Sequence, residues 1–194
     1  AYILRKGLIL SLVPFAVKGV ACGTGTFVQN GTLLLRDNLI HQLFFSDSHD
    51  DTVGNMNATP HDWENGVFDD PDFGIMFDNE QNGHLTLDNV ELGGKMTIAL
   101  WARWDGVGPG YGWSRLIDFG DGPYADNILI ANYSNSTKIG VHIRVGNDNR
   151  AVEAGTITLG EWTHVAFTVA GADIRLFQNG VQVGIITNGH EPTK

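Results

Sequence analysis

The stretch Lys95–Trp104, KMTIALWARW, constrains the fold of this chain more than any other. Period-two alternation sends Met96, Ile98, Leu100 and Trp104 to one side and Ala99 and Trp101 to the other. Both faces are then apolar, and the run reads as a strand inside a covered sheet or at its rim. Trp101, Trp104 and Trp162 are accordingly expected in the core. Four later segments share the same build, a short β-branched or aromatic run closed by Gly, Asn or Asp: Arg115–Phe119, Asn127–Tyr133, Lys138–Val145 and Glu161–Val169. Upstream, Leu39–Phe45, Gly74–Phe77 and His84–Leu87 also read as strands. Asn179-Gly180, between Asp173–Gln178 and Val181–Ile186, is the strongest hairpin signal, because both turn positions tolerate positive φ. Such spacing, with almost no helical periodicity, predicts an all-β sandwich or barrel.

A chain of 194 residues is long enough for one large β domain with a real core. The net charge of −10 is unevenly spread. Residues 1–36 carry Arg5, Lys6, Lys18 and Arg36 and no acid, so the remainder is strongly negative. Without a basic face to meet phosphates, nucleic acid is excluded as a partner. The acidic balance suits a solvated surface, or loops that hold a hard cation through oxygen. Cys22 is the single cysteine, so an intrachain disulfide is ruled out and cysteine usage does not set the compartment.

The N-terminus speaks more clearly. Arg5 and Lys6 precede the apolar run Gly7–Val17, and Lys18, Gly19, Val20 and Ala21 follow. A basic flank, a short apolar core and small residues are the parts of a secretory signal over residues 1–21. The run is too short for a stable membrane span. The other reading of the same segment is an N-terminal apolar strand pair or a piece of a preceding domain. Residues 22–36 then form a linker and 37–194 the β domain. Four N-glycosylation sequons, at Asn30, Asn57, Asn132 and Asn135, agree with a secreted or cell-surface address.

From residue 37 onward the order of motifs resembles the laminin G-like jelly-roll domains of the concanavalin A-like lectin and glucanase superfamily. The family's early strand and Asp-Ser-Ser-Gly-Asn loop are matched by Phe45 and Asp51-Thr52-Val53-Gly54-Asn55. Its Phe-Asp-Gly turn is matched by Gly74-Ile75-Met76-Phe77-Asp78, and its central strand by Ile98-Ala99-Leu100-Trp101. Leu116-Ile117-Asp118-Phe119-Gly120, Gly160-Glu161-Trp162-Thr163-His164-Val165-Ala166 and Leu176-Phe177-Gln178-Asn179-Gly180 follow in the family's order. The resemblance covers about residues 37–187 and implies a jelly-roll β-sandwich of two antiparallel sheets. It also implies closing strands beyond Lys194, and so a larger chain with neighbouring domains. Ser46 stands where the family often has Asp.

Family members that bind calcium use the loop Asp and nearby carbonyls, so the resemblance implies Ca²⁺ at Asp51, Gly54 and Asn55. Calcium takes roughly six to eight oxygens, more than one loop supplies. The competing reading has Asp51 and Asn55 capping turn N–H groups. Tyr111, Trp113, Tyr124 and Tyr133 lie in or beside predicted loops, where aromatic faces stack on sugar rings or simply pack. The glycine-rich Asp105–Ser114 marks a mobile or ligand-facing loop. No catalytic residues are assigned: the alternating carboxylates of the superfamily's glucanases are missing, and the seven histidines form no HExxH. His164 reads as a structural strand residue. The expected function is an extracellular, non-catalytic module recognising a glycan or glycoprotein, calcium-dependent if the Asp51 loop holds the ion. The alternatives are a structural or adhesive spacer and a glycan-active enzyme of the same fold.

Overall fold

The computed structural model describes residues 2–11, 27–29, 32–34, 39–43, 45, 48–61, 67–70, 74–77, 84–88, 92–106, 112–120 and 126–192. Among these there is no helix. The first eight strands are β1 (Tyr2–Ser11), β2 (Phe27–Gln29), β3 (Thr32–Leu34), β4 (Leu39–Leu43), β5 (Ala58–His61), β6 (Val67–Asp70), β7 (Gly74–Phe77) and β8 (His84–Leu87). They are followed by β9 (Met96–Trp104), β10 (Arg115–Phe119), β11 (Ile128–Asn132), β12 (Ile139–Val145), β13 (Asp148–Ala154), β14 (Thr163–Ala170), β15 (Asp173–Gln178) and β16 (Val181–Ile186). An eight-stranded sheet runs β16-β15-β14-β9-β1-β7-β6, with β4 also paired to β1, and a four-stranded sheet runs β10-β11-β12-β13. The pairs β2–β3 and β5–β8 make two small ribbons. All pairings described are antiparallel, as an all-β sandwich requires.

The expected central strand is β9, and its alternation sets the layers. Met96, Ile98, Leu100, Ala102 and Trp104 are buried on its inner side. From β14, Val165, Phe167 and Val169 join them, each at 0% exposure. The four-stranded sheet answers with Ile128 and Ile130, then Ile139, Val141 and Ile143, then Val152, in one continuous cluster. Fully burying each large aliphatic or aromatic side chain contributes about 1.5–3 kcal/mol, and this interlayer core is the main force holding the sheets together.

Two departures from the sequence reading follow from pairing. Residues 2–11, placed outside the β domain by the sequence, form β1 in the large sheet, where Tyr2 lies opposite Trp104 and Ile9 opposite Ala99. This pairing follows the other reading of the segment, an N-terminal apolar strand, since an apolar run serves a sheet interior as well as a signal. β13 was missed because DNRAVEA is polar. It forms as an edge strand through a two-residue turn in which Gly146 takes φ 55°, pairing Val145 with Asp148. The Asn179-Gly180 hairpin holds as expected, with both residues at positive φ (50° and 80°).

Candidate functional site: an aromatic face on the four-stranded sheet

Because Ile139, Val141 and Ile143 point into the core, Gly140, His142 and Arg144 point out from the same strand. Register places Ala131 and Glu153 beside Gly140, and Leu129 and Ala151 beside His142. Ala131, Gly140 and Ala151 keep part of this outer face low, with Leu129 and Glu153 beside them. Gly140 has a specific reason to lack a side chain, since a Cβ there would sit 3.1 Å from His142 Nε2.

Onto this floor two turns deliver aromatic rings. Trp113 precedes β10 and Tyr133 follows β11. Their ring centroids are 5.3 Å apart at 80°, an edge-to-face contact. His142 completes the group, 5.3 Å from Trp113 and stacked on Tyr133 at 6.3 Å and 15°. Trp113 remains 39% exposed, so much of its indole faces solvent.

A buried carboxamide fixes the arrangement. Asn132 is fully buried. Its Oδ1 accepts from Ser114 N at 2.6 Å, and its Nδ2 donates to Ser134 O at 2.7 Å. One side chain thus ties the Trp113 turn to the Tyr133 turn, and Trp113 N–H donates to Ser134 O at 3.3 Å to lock the same junction. Trp113 adopts φ 62° and Ser134 φ 51°. The left-handed region costs a non-glycine residue about 1–2 kcal/mol, strain that Trp113 holds while presenting its ring.

His142 is set for a neutral ring. Asn149 Nδ2 lies 3.2 Å from its Nδ1, which leaves the proton on Nε2. That Nε2 is buried without a hydrogen-bond partner among the described residues, and the nearest carboxylate oxygen, Glu153 Oε1, is 3.8 Å away. Burial is the main influence and pushes the His142 pKa down, with the Arg144 charge acting in the same direction.

Of the four aromatics expected to bind ligand, the structure brings Trp113 and Tyr133 together, and Tyr111 and Tyr124 lie outside the described residues. His142 was overlooked in the sequence. Its signal was the polar position between Val141 and Ile143, which period-two alternation sends to the outer face. Trp101 is corrected from core to surface: it is 42% exposed on the outer side of β9, 5.3 Å from His164. Trp162 is half-buried with the Arg103 guanidinium 5.9 Å over its ring, while Trp104 is fully buried as expected. His164 is a strand residue whose backbone N–H donates to Asn179 Oδ1.

The sequons divide similarly. Asn57 and Asn135 are exposed, and Asn30 is outside the described residues. Asn132 is corrected: a buried amide that spends both its atoms on backbone partners has no room for a glycan.

The calcium set does not fit an ion. The Asp51 side chain is 0% exposed. Oδ1 accepts from the backbone N–H groups of Gln42, Val53 and Gly54 at 2.9–3.0 Å. Oδ2 accepts from Met56 N at 3.0 Å and meets His41 Nδ1 at 2.5 Å. A cation needs converging oxygens, and here N–H donors converge on the oxygens instead. Gly54 contributes its N–H rather than its carbonyl, and Asn55 is exposed. Burial alone would raise the Asp51 pKa, but the N–H groups of Gln42, Gly54 and Val53 and the His41 ring outweigh it and hold the carboxyl well below the usual range. Among the described residues no three His, Cys, Asp or Glu side chains are grouped as metal ligands, and no helix is long and apolar enough to cross a membrane.

No curated protein and no solved structure matches the chain. The model of a laminin G family does match, over residues 78–194, a span of more than half the chain that includes both aromatic turns and the whole four-stranded sheet. This protein is a laminin G-type member of the concanavalin A-like lectin/glucanases superfamily.

Proposed function

We propose that this domain is a non-catalytic, carbohydrate-binding module of a secreted or cell-surface protein, and that sugar stacks on the face built by Trp113, Tyr133 and His142. The observation that carries the reading is Trp113. An indole held in a left-handed backbone conformation, braced by a fully buried asparagine and still 39% exposed, is placed at a cost that packing alone does not explain. Indole faces match the C–H face of a pyranose, while Glu153, Asn149 and Ser134 around the rings supply hydroxyl partners. Membership of a superfamily of lectin-like sandwiches agrees with the reading. Calcium is not part of it.

The test is a polysaccharide and glycan microarray probed with the chain and with Trp113→Ala. Binding that depends on Trp113 and persists in chelator supports the proposal. A blank array, or signals unchanged in the variant, would refute it and leave a spacer domain.

A further inference from the structure

The β5–β8 ribbon is a two-stranded sheet of its own, and its two faces differ in kind. Register pairs Ala58 with Leu87 and Pro60 with Leu85, and both leucines pack on the core. The alternate positions, Thr59 opposite Thr86 and His61 opposite His84, therefore share the outer face, and all four are exposed. The two imidazole rings stand 4.8 Å apart and nearly parallel, at 11°.

The threonines orient the His61 ring. The Thr86 hydroxyl donates its one proton toward Thr59 C=O at 3.5 Å, so its oxygen accepts from His61 Nε2–H at 2.8 Å. The lone pair of the ring is then on Nδ1. An imidazole that gives one N–H to an oxygen and keeps its other nitrogen bare is the form in which histidine binds a metal, with the oxygen fixing tautomer and ring direction. Such nitrogens suit zinc, copper and nickel, whereas calcium and magnesium take oxygen. Residues directly opposite across a ladder hold their Cβ atoms about 4.5–5.5 Å apart. Two nitrogens on one tetrahedral zinc stand about 3.3 Å apart, given Zn–N distances of roughly 2.0–2.1 Å. Rotation of two exposed side chains spans that difference without moving the strands. The net charge of −10 also favours the approach of a cation.

We propose that His61 and His84 form a two-histidine site for a divalent transition metal, Zn²⁺ above all, with water in the remaining positions. The ion clamps β5 to β8 at that rung of the ribbon. Thr86 is a positioning residue, acting through the His61 ring.

The experiment is isothermal titration calorimetry of the metal-free chain with ZnCl₂, beside thermal unfolding with and without the ion, for the native chain, His61→Asn, His84→Asn and Thr86→Val. The expected result is a saturable isotherm with one Zn²⁺ per chain and a raised melting temperature, both lost in either histidine variant and absent with CaCl₂. Thr86→Val should bind about ten-fold more weakly, as loss of an orienting partner does elsewhere. In the native chain, without any substitution, the ring C–H NMR signals of His61 and His84 should be the histidine signals that Zn²⁺ moves most. No saturable binding, an isotherm unchanged in His61→Asn or His84→Asn, or shifts centred on other histidines overturns the site.

Discussion

Substituting Asp51 by Asn tests the account of the 48–57 loop. Five donors converge on the two carboxylate oxygens: three backbone N–H groups on Oδ1, and Met56 N–H with the His41 ring on Oδ2. An asparagine keeps one oxygen, enough for the three donors of Gln42, Val53 and Gly54. Its NH₂ then faces the Met56 N–H, donor against donor, in a fully buried position. Hydrogen bonds to a charged acceptor contribute about 1.5–3 kcal/mol, and an unsatisfied buried donor costs about 1–3 kcal/mol, so Asp51→Asn should destabilise the fold by about 3 kcal/mol. The assay is urea denaturation followed by tryptophan fluorescence, with calcium and with chelator. The midpoint should fall in the variant and be the same in both buffers for the native chain. The acid limb gives a second readout. A carboxyl whose folded pKa lies below its unfolded value of about 3.9 stabilises above that pH and loses its contribution as pH falls through the folded pKa. Native stability should therefore drop below about pH 4 more steeply than that of Asp51→Asn. A loss under about 1 kcal/mol, or a midpoint raised by calcium in the native chain only, would sink this account.

Asn132→Ala should cost about 2–3 kcal/mol in the same denaturation assay, because Ser114 N–H and Ser134 C=O lose their buried partner, and it should weaken binding on the glycan array even though Asn132 touches no sugar. Glycopeptide mapping of secreted protein should find Asn132 unmodified, with any occupancy at the exposed Asn57 and Asn135. Gly140→Ala should displace the His142 ring and appear as a change in Trp113 fluorescence, since the new Cβ stands 3.1 Å from His142 Nε2. His142 and His164 both have folded pKa values pushed below 6.5 by burial. Their contribution is complete above the unfolded value and is lost as pH falls below about 6.5, so the double variant His142→Gln/His164→Gln should flatten the thermal stability profile between pH 7 and 5.

Short apolar runs closed by turn residues were legible from residues alone. β10, β15 and β16 have the limits expected because turn residues bound each run, although β10 and β15 each bury two consecutive residues at a register shift. β13 was not legible, since its ladder to β12 comes from register and a turn glycine rather than from apolar content. β1 carried two readings, a signal and an N-terminal strand, because an apolar run with a basic flank looks alike whether destined for a sheet or for export. At the site, Trp113 and Tyr133 stood out as loop aromatics, but nothing local says that they meet: the link is Asn132, which in sequence is merely part of a sequon. Trp101 shows the opposite error, for hydrophobic content put it in the core while strand parity put it outside. Asp51 carried two readings, a calcium ligand implied by the resemblance and a cap for turn N–H groups, and the directions of the surrounding N–H bonds match the second.

The shared anchor at Asn132 has an entropic consequence. A surface tryptophan on a free loop must give up backbone and rotamer freedom when a ligand settles on it, which subtracts about 0.5–1.5 kcal/mol per ordered side chain from the affinity. Here one buried amide holds both turns without any ligand. On the proposed sugar-binding reading, the rings would meet a sugar already in place, with little left to order. A face prepared in this way gains affinity from preorganisation rather than from area. It also adapts poorly, so a sugar whose hydroxyls do not fit the fixed ring angles finds no alternative arrangement to bind.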